Sequence, residues 1–324
     1  MAQGYAPGKV ILLGEHAVVY DRPAIAVPVT EVQARACVEP GHTGQGTVIA
    51  ASDVDRRIVL REAGQDDPLA CIVRLTLGAI KSERDPDLTI TVTSTIPVAR
   101  GMGSGAAVST AIVRALLQHF GYWLPSRAIS DLVYQTEILY HGTPSGIDNT
   151  VIAFEKPIYF VKEKAQGGTD ARTGHVYGSG WEVFWVGTPF LLAIADTGIE
   201  SPTKEVVADL RRRYQTDPAR YSLSFDRVGE IVVAARAAIE KGHKEALGRL
   251  MDENHGQLQQ LGVSCPELDR LVGAAREGGA LGAKLSGAGW GGNMIALVTE
   301  DTRGRVDMML RLAGAARVLI TEIR

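Results

Sequence analysis

The chain is short of cysteine: Cys37, Cys71 and Cys265 are the only three in 324 residues. They are odd in number, far apart and without metal or redox spacing. They read as reduced thiols of a cytoplasmic protein, which excludes a disulfide framework. Charge of one sign is also scarce. Lys and Arg total 34 against 37 Asp and Glu, a net charge of −3. That balance excludes the basic footprint of a nucleic-acid binder or of a protein drawn to anionic membrane. Arg211-Arg212-Arg213 is too short to change this and reads as a solvated helix face. No apolar run approaches the ~20 residues of a membrane-spanning helix. Met1 to Tyr5 has neither the basic region nor the apolar core of a signal peptide. There is no internal repeat. Neither a Walker P-loop nor a Rossmann glycine fingerprint occurs. His42, His119, His175 and His243 show no pairing and read as structural or exposed.

What is present is ordinary globular composition, long enough to give each of two domains a core. The expected boundary lies near 185, giving domains of 1–185 and 186–324. Residues 10–13 and 190–195 are apolar runs that read as strands, and 88–95 is a β-branched alternation that reads as another. Helices are expected over 106–120, which stops before Gly121, and from Ser126, which follows Pro125. Four more are expected at 203–214, 228–241, 244–261 and 266–278, and then a strand pair around a glycine turn. Residues 167–180, rich in Gly, Ser and Thr, read as a surface loop. Strands and helices mix without a strict βαβ rhythm, so the fold class is α+β.

The richest segment is Glu137-Ile-Leu-Tyr-His-Gly-Thr-Pro-Ser-Gly-Ile-Asp-Asn149. Ile129, Val133 and Tyr140 trace the apolar face of the helix from Ser126, and Glu137 falls on that face. A carboxylate aimed at a core needs a partner, and an arginine or a metal ion would serve. Gly142 and Pro144 then break the helix. Asp148 follows Gly146 in the loop, where backbone can approach a ligand closely or the aspartate can cap a turn. Upstream, the strand at 88–95 runs into Ile96-Pro-Val-Ala-Arg-Gly-Met-Gly-Ser-Gly-Ala-Ala107. A glycine loop thus opens into a helix N-terminus, where free amides and the helix dipole suit a phosphate. Near the N-terminus, Val10 to Leu13 is flanked by Lys9 and by Gly14-Glu15-His16. Near the other end, Gly282-Ala-Lys-Leu-Ser-Gly-Ala-Gly-Trp-Gly-Gly-Asn293 makes a tight turn, either a hairpin or a wrap for an anion.

Together, and in this order, these segments resemble the GHMP kinases, a superfamily named for galactokinase and the homoserine, mevalonate and phosphomevalonate kinases. Residues 6–16 look like its first motif, 97–107 like its phosphate loop and 285–292 like its third motif. Residues 14–20, 141–149, 195–204 and 253–269 look most like the branch that phosphorylates mevalonate. The resemblance implies a two-domain α+β fold. Its N-terminal ATP-binding domain would be of the ribosomal protein S5 domain 2-like type, and its C-terminal domain a ferredoxin-like α/β sandwich, with the active site between them. It implies ATP-dependent phosphorylation of the 5-hydroxyl of mevalonate, a step of isoprenoid biosynthesis, with Mg²⁺.

The implied catalytic residues are Asp148, the base, and Lys9, near the substrate hydroxyl. Glu137 and Ser104 would hold the metal. Pro97, Arg100, Gly101, Met102, Gly103, Ser104, Gly105 and Ala106 would bind ATP. Glu15, His16, Gly146, Thr197, Gly287 and Ala288 would bind the substrate. Residues 200–203 suit part of a lid. Two positions depart from the superfamily pattern. Gly105 stands where a second serine, commonly a metal ligand, is usual, and Trp290 stands where a glycine is usual. Rival readings are a sister kinase for phosphomevalonate or homoserine, a related decarboxylase or 3-hydroxyl kinase, and a non-catalytic ATP-binding sensor. Glu15 argues against a phosphorylated substrate. Lys9 and Asp148 argue against the decarboxylase, and with Glu137 against the sensor. The expected partner is a small molecule, with no nucleic acid and no membrane; a homodimer is left open.

Overall fold

A computed structural model describes residues 1–97, 100–141, 144–161, 168–169, 176–178 and 180–324. His175 and most of 167–180 lie outside these. Among the described residues no helix is long and apolar enough to cross a membrane. The chain forms two compact units, Met1–Lys9, Val32–Val98 and Met102–Glu155 in the first, and Val10–Glu31, Ala99–Gly101 and Lys156–Arg324 in the second.

In the first unit, strand β1 (Ala2–Leu13) contributes its residues up to Lys9 and β2 (Ala24–Pro40) its second half. Beyond them come β3 (Val48–Ala51), β4 (Arg56–Val59), helix α1 (Pro68–Ala79) and β5 (Leu88–Ser94). β2 pairs antiparallel with β5, β5 parallel with β3, and β3 antiparallel with β4. Ala34, Ala36 and Val38 of β2 are buried while Arg35 and Glu39 point out, the alternation of a sheet packed on one face. α2 (Ser104–Phe120) packs against the sheet at β5, and α1, α3 (Ser126–His141) and α4 (Ile147–Phe154) pack around α2. α2 is the central helix, buried at Ala106, Ala107, Ala111, Ile112, Val113, Ala115, Leu116 and Leu117. Its small residues let α1, α3 and α4 approach closely. It ends where Gly121 turns left-handed (φ 68°) and returns its N–H to Leu117 and Gln118.

The second unit holds the first half of β2, then β6 (Ile158–Phe160), β7 (Gly168–Thr169), β8 (Val176–Gly178) and β9 (Trp181–Val183), paired in the order β2-β6-β9-β8-β7. The part of 167–180 that is described is therefore strand rather than loop. A separate antiparallel sheet follows, built from β10 (Phe190–Asp196), β11 (Gly282–Ser286), β12 (Asn293–Val298) and β13 (Arg317–Ile323). Helices α5 (Thr203–Thr216), α6 (Pro218–Glu240), α7 (Lys244–Gln260) and α8 (Pro266–Glu277) lie between β10 and β11, and α9 (Arg303–Leu312) between β12 and β13. The strand order β11-β12-β10-β13 places the first strand between the third and the fourth. That is the ferredoxin-like arrangement. β12 is interior and buried at all six residues, as its unbroken apolar run requires.

Several helix starts differ from the sequence expectation, two of them for one shared reason. α1 was not anticipated, and α6 begins ten residues before the expected 228, at Pro218. Both follow an Asp-Pro pair. The Asp67 carboxylate accepts the Leu69 and Ala70 amides at 2.9 and 3.0 Å, and Asp217 accepts that of Arg220 at 3.2 Å. The proline then supplies a first helical residue that needs no N–H partner. Replacing Asp67 by Ala should lower unfolding free energy by ~1 kcal/mol, the usual worth of an N-cap. A denaturant midpoint unchanged from wild type would show that the cap does not support α1.

Candidate active site

The first unit gathers the phosphate loop from Met102 onward, the two acidic candidates and Lys9. α2 begins at Ser104, two residues earlier than expected, so Ser104, Gly105 and Ala106 form its first turn. Gly103 caps it with φ 71°, and a Cβ there would lie 2.8 Å from Ile152 Cδ1 and 3.1 Å from Lys9 Cγ. The first intrahelical bond runs from Ala107 N–H to Gly103 O, so the amides before it have no helical partner. Lys9 binds the loop through its own backbone, its N–H donating to Met102 O at 3.0 Å. The buried Lys9 side chain places Nζ 2.9 Å from Asp148 Oδ1.

Asp148 is not a loop residue. It is the second residue of α4, behind Gly146 at φ 86°. That helix start is fixed. Thr150 Oγ1 donates to Gly146 O at 2.7 Å, and Asn149 Nδ2 donates to Ser130 O and Oγ of α3 at 3.1 and 2.8 Å. Glu137 is buried on the face shared with Ile129 and Val133. The apolar stripe ends there, for Tyr140 is 37% exposed. Burial first, and then the charge of Asp148, push Glu137 from an ordinary 4.5 up to about 8, against the pull of Lys9. The tyrosine ring explains the first departure from the motif. A Cβ on Gly105 would stand 3.0 Å from Tyr140 Cε2, so the ring takes the space that a second serine would need.

The second unit gathers the remaining candidates. His16 Nε2 lies 2.8 Å from Ala288 O. A carbonyl only accepts, so the ring carries its proton on Nε2 and keeps Nδ1 as an acceptor. Burial lowers the imidazole to about 4, so it is neutral at ordinary pH. The third glycine loop is a left-handed run, with positive φ at Gly287, Gly289, Trp290, Gly291 and Gly292. Trp290 holds φ 54°, unusual for a bulky residue. It is kept there by two bonds, N–H to Val263 O at 2.9 Å and indole Nε1 to Gly262 O at 3.0 Å. The second departure thus preserves the turn. The Thr197 hydroxyl donates to Gly292 O at 2.9 Å, and Ser201 Oγ to Gly289 O at 2.7 Å. Arg100 Nε lies 3.4 Å from Asp196 Oδ2, and Nη2 donates to Gly198 O at 3.2 Å, so this guanidinium serves β10 and the turn after it. Glu15 is buried in an ion pair with Lys284 of β11. Sequence reasoning missed Lys284, although a lysine inside a buried strand is itself a signal that a carboxylate lies opposite. It missed the Tyr140–Gly105 contact, which no local pattern announces.

Residues 69–156 match the family model for the GHMP kinases N terminal domain, and 235–307 that for GHMP kinases C terminal. The mevalonate kinase of Pyrococcus furiosus is 36% identical over 98% of this chain and 95% of its own length. The chain belongs to the GHMP kinase family. Among solved structures, the Leishmania major mevalonate kinase in complex with R-mevalonate superposes with a TM-score of 0.80 at 29% identity, covering 100% of this chain and 96% of that one. A Streptococcus pneumoniae phosphomevalonate kinase superposes equally well, with a TM-score of 0.80 over 100% of both chains at 17% identity, a likeness of fold alone. In this GHMP kinase the N-terminal match spans the phosphate loop, Glu137 and Asp148, and the C-terminal match spans the third glycine loop.

Because Gly103 is left-handed and boxed by Ile152 and Lys9, Gly103→Ala should cost at least ~1–2 kcal/mol from the backbone alone. It should also weaken ATP binding. Unchanged affinity in a nucleotide titration, at full stability, would remove this loop from the nucleotide site.

Proposed function

We infer that this kinase transfers the γ-phosphoryl group of ATP to the 5-hydroxyl of mevalonate. One observation carries the reading. The buried Lys9 side chain ion-pairs with the Asp148 carboxylate, and its stem occupies the space that a Cβ on the Gly103 cap of α2 would need. A proton acceptor, a cation and a phosphate-binding helix start thus lie within one side chain's reach. Phosphoryl transfer needs little covalent chemistry from the protein, so positioning and charge stabilisation are its main tasks. The choice of mevalonate is supported by 36% identity to a mevalonate kinase, against 17% for the phosphomevalonate kinase of the same fold.

In this mechanism the first-turn amides of α2 and its dipole hold the phosphates. Asp148 accepts the hydroxyl proton as the oxygen attacks and later releases it to solvent. Lys9 Nζ faces the negative charge that develops. The Gly103 cap lets the α2 backbone approach the nucleotide. His16 offers Nδ1 to the substrate, its Nε2 proton being spent on Ala288 O.

Mg²⁺ fits the residues present. Glu137 sits beside a second carboxylate, Asp148, whose charge raises it further, a pair of oxygen donors that suits a hard cation. Among the described residues no group of three or more acidic, His or Cys side chains converges. A cation here takes one or two protein ligands and several waters, as Mg²⁺ readily does. Glu137 would hold it, with Ser104 a ligand or one water away. When bound, the ion offsets charge between the β- and γ-phosphates.

Three outcomes test the reading. ADP release should depend on mevalonate, and phosphorus NMR should place the new phosphate on the 5-oxygen. Faster turnover of phosphomevalonate, homoserine or galactose would overturn the assignment. Asp148→Asn should retain ATP binding and lose ~10²–10⁴ in kcat, the range for a missing general base. A loss under about threefold would mean that Asp148 takes no proton. For Glu137, the folded-state pKa stands above the unfolded one, so between 4.5 and about 8 the metal must displace a proton. The Mg²⁺ concentration for half-maximal rate should therefore fall as pH rises towards 8 and level off above it. Glu137→Gln should raise that concentration and flatten its pH dependence. An unaltered Mg²⁺ profile in the variant would make Glu137 a structural carboxylate.

A further inference from the structure

The loop after β1 has a backbone that few residues adopt. His16 has φ 61° and ψ −48°, and Ala17 N–H donates across it to Glu15 O at 2.6 Å. A bond spanning two residues around a positive φ is a γ-turn of the rare, strained kind. Such a turn persists only where its surroundings over-determine it. Gly14, before it, is boxed in. A Cβ there would stand 2.5 Å from Ala24 Cα and 2.6 Å from Pro23 O. After it, the His16 ring is tied to Ala288.

Between these two anchors sits Glu15, 1% exposed, with its Oε1 accepting from Nζ of Lys284, which is fully buried. Nζ also donates to Leu285 O at 2.6 Å. The Gly287 amide favours the same carboxylate. Oε1 is therefore committed to Lys284, while Oε2 is buried without a hydrogen-bond partner. Lys284 lies on β11 in register with Ile295 of β12, and the third glycine loop begins three residues later. A buried ion pair adds little net stability over apolar residues of the same size. What it fixes is register: a charge on β11 that only a correctly placed Glu15 can satisfy.

We propose that Lys284 is a positioning residue: through Glu15 it holds the γ-turn at His16 against the third glycine loop and so aims the imidazole at the substrate. The proposal rests on the functional reading above, in which His16 meets mevalonate.

The test compares wild type with Glu15→Gln, Lys284→Met and the double variant. Each single variant strands a buried partner and should lower Tm. The double variant has no buried charge and should recover most of that loss. If the pair is a positioning device, the double variant should still show kcat/KM for mevalonate lowered by about 10–100-fold, the effect of a misplaced contact. Its KM for ATP should stay near the wild-type value, and the His16 imidazole signals in a ¹H–¹⁵N spectrum should move. A double variant that recovers Tm together with wild-type kcat/KM for mevalonate and wild-type His16 signals would overturn the proposal, leaving the pair a fold element only. A rise in both KM values together would also overturn it, because the defect would then not be local to His16. If wild-type protein does not turn over mevalonate at all, the functional reading fails on its own. The positional claim is then decided by the imidazole spectrum, which moves if Lys284 sets the turn and stays put if it does not.

Discussion

Charge removed from water must be balanced, and this chain is organised around two places where that happens. Among the described residues the buried lysines are Lys9 and Lys284. Each sits on an apolar strand and each meets a carboxylate from another element, Asp148 at the start of α4 and Glu15 at the end of β1. Removing one member of such a pair leaves an uncompensated buried charge and typically costs ~3–5 kcal/mol. The pairs are thus a strong constraint on where β1, α4 and β11 go within their own units. β1 carries Lys9 in the first unit and then leads through Val10 into the second, where Glu15 follows. A register error in that one strand would unpair both lysines.

The rest of the chemistry is done by backbone. The α2 helix start offers amides because Gly103 alone can occupy its cap beside Lys9 and Ile152. The third glycine loop holds its left-handed run even with a tryptophan in it, because two hydrogen bonds to residues 262 and 263 take over from glycine's freedom. The same argument explains why Gly105 is tolerated where a hydroxyl is usual. The space is filled by Tyr140 from α3, so a serine there would have to displace a ring that already packs on the loop.

Much of this was legible in residues 88–149. The strand, the glycine loop and both helices follow from alternation, punctuation and caps, and Glu137 was placed on its buried face by spacing alone. Asp148 was misplaced into a loop because Gly146 and Pro144 advertise a break, and an eight-residue helix beginning at Ile147 has little room to display its own period. α1 and the early start of α6 were missed although an Asp-Pro signal stands at both; the cap, more than the apolar period, marks where each of these helices begins. Pairings such as Glu15–Lys284 span 269 positions. No local pattern encodes them. A lysine within a buried strand shows that a partner exists without showing which one.

The two glutamates show how far burial alone can be read. Glu15 and Glu137 both end apolar stretches, both are buried, and both are raised first by desolvation. They differ in the charge beside them. The Oε1 of Glu15 is taken by Lys284, a cation that directly offsets its charge. Glu137 has Asp148 beside it, and this second carboxylate adds to the burial penalty, against the pull of Lys9. An added divalent ion would stabilise the first arrangement very little and the second a great deal. The same residue type, equally buried, is therefore fastened to a lysine in one unit and, on the function proposed above, would hold the metal in the other. What decides is the count of positive charges within reach, a quantity that neither the sequence motif nor the degree of burial contains.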